Sequence, residues 1–118
     1  APLPQQLFSG NLFSTSAVIC DRRLFFENGF FDTTLMSAQD YELWLRLSPF
    51  IQVYFIRETL GYYIDRKGNI SSTNALKRMM NELRALSRNR KIVGNAYYGY
   101  AIARHAALFL LQYIRRLL

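Results

Sequence analysis

Residues that form covalent cross-links and metal sites are scarce in this chain. Its 118 residues include one cysteine, Cys20, and one histidine, His105. A lone cysteine excludes a disulfide within the chain and any cysteine-based zinc site. Cys20 ends an apolar run, so we expect a buried structural thiol, compatible with a reducing, cytoplasmic setting. His105 lies in a hydrophobic stretch without a second histidine, so we expect it to pack there rather than to bind a metal.

Phosphate-binding motifs and long apolar runs are also missing. No two aspartates lie two positions apart, which excludes an Asp-x-Asp metal motif, and there is no glycine-rich phosphate loop. Between Arg104 and Arg115 the uncharged stretch is about ten residues, whereas a helix needs about 20 to cross a bilayer. The chain starts without Met and without a signal-peptide pattern, so we expect it to be part of something longer.

Positive charge is abundant and unevenly distributed. Residues 1–56 carry a net charge of −2 and residues 57–118 a net charge of +9. A basic C-terminal part suggests an anionic partner, such as a diphosphate, an anionic membrane surface or nucleic acid. The alternative is a solvated helix face, which is the usual role of such charge runs.

Apolar periodicity and turn residues divide the chain into short elements. β-branched and alternating apolar residues predict strands at residues 15–20, 51–56 and 60–64. Asp21 can cap a short helix at residues 22–27. Apolar spacing of three and four residues predicts helices at Gln39–Leu47, which Ser48 and Pro49 end, and from about residue 74. A last helix, apolar nearly all round, is predicted after Gly94 to about Leu118. Residues 1–10 show no convincing element, and residues 65–69 predict a polar loop. Arg115 and Arg116 beside Tyr113 would suit a helix at a membrane interface. We expect the last helix instead to pack on its basic neighbour or on a second copy of the chain.

The stretch from residue 28 to residue 47 organises the chain. Asn28 and Gly29 are a good pair to end the preceding helix. Ser37, followed three residues later by Asp40, has the outline of a capping box for the next helix. The helix dipole favours a carboxylate in the first turn. Asp40 therefore occupies a position where a general base could be fixed beside a loop, and the alternative is an acid that only caps the helix.

Two runs in this stretch resemble the acceptor-side motif of family 2 glycosyltransferases. They are Gly29-Phe30-Phe31-Asp32 and Gln39-Asp40-Tyr41-Glu42-Leu43-Trp44-Leu45-Arg46-Leu47. Members of that family commonly carry a Gly-Gly-Phe-Asp-Glu turn followed by Glu-Asp-x-x-Leu-x-x-Arg-Leu. Residues 11–23 are similar to the strand before this motif, and residues 59–72 resemble the strand and loop that close the site. The resemblance covers residues 11–72 in order.

The resemblance implies a fold and a division of the chain. We expect the α+β class, as an incomplete GT-A-like fragment with a few short strands and a predominantly helical C-terminal half. Residues 1–72 would be the acceptor-side part of a glycosyltransferase catalytic domain, and residues 73–118 a helical appendage. The nucleotide-binding half is absent from these residues, so we expect this chain alone to be inactive.

The resemblance also implies an activity. Family 2 enzymes are inverting glycosyltransferases that move a sugar from a nucleotide-sugar donor to a hydroxyl of a glycan or lipid-linked acceptor, often in polysaccharide synthesis. Mg²⁺ or Mn²⁺ would be held by the absent half, and no cofactor is expected in this chain. Because Trp44 is the only tryptophan, the Gln-x-x-Arg-Trp motif of processive polysaccharide synthases is missing. We expect a cytoplasmic protein, with the inner face of the membrane as an option.

The same match assigns site residues one by one. Asp40 matches the family's catalytic base, and Gln39 stands where the family usually has an acid. Arg46 matches the family's helix arginine, with a structural ion pair as the alternative role. Arg66 lies in the closing loop, where many relatives carry a histidine. Its guanidinium could contact a diphosphate but cannot bind a metal, because it stays protonated. The alternative is a solvated loop arginine. The expected substrate-binding residues are thus Gln39, Arg46 and Arg66, with no metal ligand among them.

Another class of function stays open. The basic C-terminal helices could make the chain an interaction or membrane-surface docking module without catalysis, or could join copies of the chain into a homo-oligomer. Nucleic acid is a weaker candidate partner, since the basic residues are not interleaved with exposed aromatic residues in a known module.

Overall fold

Residues 1–64 and 74–118 are described by a computed structural model, except for the side chain of Arg116. Within these residues the chain forms five α-helices and two short 3₁₀ turns. The helices are α1 (Leu3–Ser9), α2 (Arg23–Asn28), α3 (Gln39–Leu47), α4 (Ala75–Arg88) and α5 (Gly94–Leu117), and the 3₁₀ turns are Thr15–Ala17 and Arg90–Ile92. The boundary expected between residues 72 and 73 and the loop expected at residues 65–69 lie outside the described residues.

The expected α+β class is wrong, because the described part of the chain contains helices and no strand. Residues 15–17 form a 3₁₀ turn in place of the first predicted strand. Residues 51–64 have no regular structure and make no backbone hydrogen bond to another described residue. β-branched and aromatic residues favour a strand only where a neighbouring strand accepts its hydrogen bonds. The described residues offer no such neighbour, so the strand propensity of residues 51–64 is not enough to form a sheet.

Four helices, α1, α3, α4 and α5, contribute buried side chains to one core. α3 contacts α1 and α4, and both of these contact α5, while α2 packs on α3. α3 lies at the centre, with nearly its whole circumference buried. The buried apolar side chains of this core are Leu7, Phe8, Tyr41, Leu43, Trp44, Leu45, Leu47, Ala85, Leu86 and Ala101. The core therefore joins the two ends of the chain to its middle.

The predicted helix at Gln39–Leu47 is confirmed, and so is the end of the helix before it. α2 ends where the amide of Gly29 donates to the carbonyl of Phe25, 2.8 Å away, with Gly29 at φ +88°. That left-handed conformation favours glycine, because a Cβ there is strained. Residues 1–10, for which no element was expected, contain α1 (Leu3–Ser9), and its Leu7 and Phe8 are fully buried. Pro4 lies in the first turn of α1, where proline is tolerated.

The two C-terminal helices confirm their expected positions. Asn74 begins α4, and its side chain accepts the backbone N–H of Lys77. The sequence predicts one apolar stripe on this helix, formed by Leu76, Met79, Met80, Leu83 and Leu86. The stripe is only partly correct, since Leu86 is buried and Met79 and Leu83 are half-buried, but Leu76 and Met80 are exposed. α5 packs on α1 and α4 through its N-terminal half, and most of its last turns are exposed. No helix in the described ranges is long and apolar enough to cross a membrane.

The expected burial of Cys20 is wrong, and the expected packing of His105 is confirmed. Cys20 is exposed rather than buried, because residues 18–20 follow a surface turn and not a core strand. His105 is packed, with its side chain 11 % exposed, but it is also hydrogen-bonded. Its Nε2 lies 3.1 Å from the Phe8 carbonyl, and its Nδ1 lies 3.8 Å from the Glu82 carboxylate. His105 thus links α1 to α4.

Candidate functional site

A cleft of about 720 Å³ opens at the start of α3. It lies between the loop that precedes α3, the 3₁₀ turn at Thr15–Ala17, and α4. The lining residues are Asn11, Thr15, Phe31, Asp32, Thr33, Met36, Ser37, Ala38, Gln39, Asp40, Tyr41, Arg78 and Glu82. The cleft thus combines apolar side chains with three carboxylates and one arginine.

The start of α3 positions Asp40 in this cleft. The residue before the helix, Ala38, has φ +63°, a left-handed conformation that is uncommon for a residue with a Cβ. The expected capping box does not form, because no side chain caps α3. The Ser37 hydroxyl instead accepts a 2.9 Å hydrogen bond from the buried Asn81 amide of α4. α4 therefore fixes the loop from which α3 begins.

The Asp40 carboxylate is half-buried and held at both oxygens. The Thr15 hydroxyl donates to Oδ2 at 2.9 Å, and the backbone N–H of Tyr41 donates to Oδ1 at 2.7 Å. A carboxylate can accept about four hydrogen bonds. Each oxygen of Asp40 therefore retains acceptor capacity for a proton donor that enters the cleft.

The other two carboxylates of the cleft face basic partners. Asp32 forms an ion pair with Arg88 and accepts hydrogen bonds from the backbone and hydroxyl of Thr34. Glu82 faces the imidazole of His105. Across the described ranges no ion pair involves Asp40. Asp40 is thus the cleft carboxylate best suited to accept a proton from a bound molecule.

Tyr41 closes the back of the cleft and stays protonated. Its side chain is 1 % exposed, and its hydroxyl donates to the Leu7 carbonyl at 2.6 Å. Burial raises the pKa of the Tyr41 hydroxyl well above its ordinary value, and the negative charge of Glu82 adds to this rise. Tyr41 therefore ties α3 to α1 and is a poor proton acceptor.

The expected substrate-binding residues separate in space. Gln39 lines the cleft beside Asp40, with its side-chain amide donating to the Leu35 carbonyl at 2.7 Å. Arg46 is not among the lining residues, since its guanidinium binds Glu42 and the carbonyls of residues 28–30. Arg66 lies outside the described residues. The cleft thus joins Gln39 to Asp40, and Arg46 has the structural ion pair that was its alternative role.

Several cleft residues were missed at the level of sequence. Thr15 was expected on a buried strand, and Arg78 and Glu82 were expected only as part of a helix. Their approach to Asp40 depends on how α4 and the 3₁₀ turn dock on α3. The one local signal is the i, i+4 spacing of Arg78 and Glu82, which puts both side chains on one side of α4.

No group of three or more His, Cys, Asp or Glu residues that could hold a metal ion occurs in the described part of the chain. The resemblance assigns Mg²⁺ or Mn²⁺ to the absent half, and no step below depends on a metal held by the residues of the cleft.

Comparisons with protein-family models, with curated proteins and with solved structures give no match to this chain.

Proposed function

We propose that this chain is the acceptor-side part of an inverting glycosyltransferase, in which Asp40 acts as the general base. The observation that carries the proposal is the half-buried Asp40 carboxylate, held by two donors at the edge of a cleft of about 720 Å³. The match of residues 28–47 to the family 2 motif assigns the same residue. The absence of described strands removes fold-level support, so the proposal rests on this site and on the motif.

The chemistry requires a base at this position. A hydroxyl is a poor nucleophile until its proton is removed in the transition state, so a base must lie within hydrogen-bond reach of it. The acceptor oxygen then forms a bond to the anomeric carbon of the donor sugar while the bond to the nucleotide diphosphate breaks. The released proton goes to a carboxylate oxygen of Asp40, and the electron pair of the broken bond leaves with the diphosphate.

The rest of the cleft suits an acceptor with an apolar part. Phe31 and Met36 line the cleft with exposed side chains, 42 % and 85 % exposed respectively. Gln39 adds an amide near Asp40, and amide groups orient sugar or alcohol hydroxyls by hydrogen bonds. A glycan hydroxyl or the headgroup of a lipid-linked acceptor fits this mixture of surfaces. In this proposal the reaction is cytoplasmic and belongs to glycan or polysaccharide synthesis.

The donor side of the reaction would lie outside these 118 residues. The chain has neither an Asp-x-Asp motif nor a glycine-rich loop, which are the motifs expected to hold the diphosphate and its Mg²⁺ or Mn²⁺. The isolated chain should therefore turn over no nucleotide sugar. Donor turnover by the isolated chain would contradict this division, because the chain would then hold a donor site as well as the acceptor side.

The test is sugar transfer by the parent protein with Asp40→Asn, across a panel of nucleotide-sugar donors. The substitution keeps the shape of the side chain and an oxygen for the Thr15 hydroxyl, but it removes the base. We expect transfer to fall by a factor of about 10² to 10⁴, with donor binding intact. Asp21→Asn is the matched control, because Asp21 is exposed, pairs with Arg23 and does not line the cleft. Equal activity of both variants would leave Asp40 as a helix-start acid only.

A further inference from the structure

The side of α5 that faces away from the other helices carries no charge over the full length of the helix. Its residues follow alternating spacings of four and three, which place them on one stripe. They are Ala96, Tyr100, Ala103, Ala107, Leu110, Ile114 and Leu117, and all seven are exposed. We call this stripe the outer face of α5. With 24 residues, the helix is roughly 36 Å long.

Three polar residues of α5 face α1 instead. The guanidinium of Arg104 donates to the carbonyl of Ser9, and the imidazole of His105 lies against the carbonyl of Phe8. The hydroxyl of Tyr97 donates to the carbonyl of Gln5 at 3.0 Å. A surface helix normally turns its apolar stripe to the core and its charges to water. In α5 the inner side already contacts α1 through polar groups, so the apolar outer face needs another environment.

Exposed apolar side chains continue beyond the outer face near the C-terminus. Leu111, Tyr113 and Leu118 are each more than half exposed, at 55 %, 54 % and 102 %. The uncharged surface of these last turns is therefore broader than a single stripe. A coiled-coil seam is narrow and is flanked by charged residues, whereas a helix that lies in a membrane interface has a wide apolar side.

The charges around the outer face of α5 indicate which environment it contacts. Residues 83–118 contain seven basic residues and no acidic residue. Exposed cations stand at both ends of α5, with Arg90 and Lys91 just before the helix and Arg115 in its last turns. Pairing this face with the same face of a second copy would bring two such stretches together without one carboxylate between them. An anionic lipid surface supplies the missing negative charge and an apolar layer at the same time.

We propose that α5 lies in the plane of an anionic membrane surface, with its outer face inserted among the lipid chains and its terminal cations on the headgroups. The helix lies on the bilayer rather than across it, in agreement with the lack of any described helix able to span a membrane. This inference does not depend on the function of Asp40. It adds a binding surface that is separate from the cleft.

Co-sedimentation of the chain with vesicles tests the proposal. One set of vesicles contains zwitterionic phosphatidylcholine alone, and the other contains phosphatidylcholine with phosphatidylglycerol. We expect binding to the anionic vesicles that weakens as salt is added. The variant Leu110→Gln/Ile114→Gln should lower the partition coefficient by about tenfold or more, because it removes apolar area without changing charge. The variant Arg90→Gln/Lys91→Gln should lower it by about fivefold per charge removed.

A matched control comes from α4, where Leu76 and Met80 are 52 % and 45 % exposed. The variant Leu76→Gln/Met80→Gln removes a similar apolar area from another helix and should bind vesicles like the unaltered chain. The emission of Trp44, which is buried and is the only tryptophan, reports whether each variant is folded.

Three results would overturn the proposal. The first is equal binding to both kinds of vesicle, and the second is unaltered binding by the folded Leu110→Gln/Ile114→Gln variant. The third is a concentration-dependent dimer, seen by sedimentation velocity, that this variant abolishes while neither protein binds vesicles. In that case the outer face would be an interface between copies of the chain.

Discussion

Replacing Arg46 should destabilise the fold more than replacing any exposed arginine. Arg46 donates two hydrogen bonds to the carboxylate of Glu42, at 3.1 and 3.0 Å, and Glu42 is only 4 % exposed. The same guanidinium binds the carbonyls of Asn28, Gly29 and Phe30 at the end of α2. One side chain thus neutralises a buried charge and joins α2 to α3.

The expected loss of unfolding free energy follows from the contacts that Glu42 keeps in the Arg46→Met variant. Glu42 would retain the amide of Asn89, at 3.3 Å, as its remaining side-chain donor among the described residues. Breaking a buried ion pair by removing one partner typically costs about 3–5 kcal/mol, because an uncompensated charge stays buried. We therefore expect the free energy of unfolding to fall by about that amount, which is a large part of the total for a small domain.

Urea unfolding followed by Trp44 fluorescence measures this change. Arg23→Met is the control, since Arg23 and Asp21 form an ion pair with side chains that are 78 % and 46 % exposed, and exposed pairs contribute little. The double variant Glu42→Leu/Arg46→Met should recover much of the loss, because it leaves no buried charge. If Arg46→Met unfolds at the same urea concentration as Arg23→Met, the reasoning from burial is wrong.

Two further predictions concern single positions. Gly29→Ala should lower the free energy of unfolding by about 1 kcal/mol or more, because φ is +88° and a Cβ would lie 3.2 Å from Nη1 of Arg46. Gly99→Ala meets open space within α5 and should instead raise it by up to about 1 kcal/mol; thermal unfolding of both variants checks the opposite signs. Stability should also fall as the pH rises above about 10, since Tyr41 ionises in the unfolded chain but not in the fold, where its pKa is raised. Tyr41→Phe should remove this slope from urea unfolding measured between about pH 9 and pH 11, and an unchanged slope would contradict the assignment.

The elements that could be predicted from sequence are those with local end signals. α2 and α3 were found because Gly29 ends the first and Pro49 follows the second. Residues 51–64 were assigned to strands because strand propensity is local, but a strand exists only with a partner that the described residues do not provide. α1 was missed because its seven residues are too few to show periodicity, although α3 and α5 bury two of them.

The candidate site was also predictable only in part from the sequence. Asp40 could be found because the motif and the helix start are local features of residues 28–47. Its hydroxyl donor, Thr15, comes from 25 positions away, and no pattern in the sequence joins the two. The ion pair that was one of two expected roles of Arg46 forms with Glu42, which precedes it by four residues on the same helix.

The contact between the two ends of the chain has a consequence for how this protein folds. α1 is fixed by α5 through bonds that join residues 92, 95 and 97 positions apart. Helical proteins usually fold fast because their contacts are local, and long loops must close before distant contacts gain anything. During synthesis, α1 must leave the ribosome long before its partner exists. Leu7 and Phe8 therefore stay without their contacts to α5 until that helix has been made.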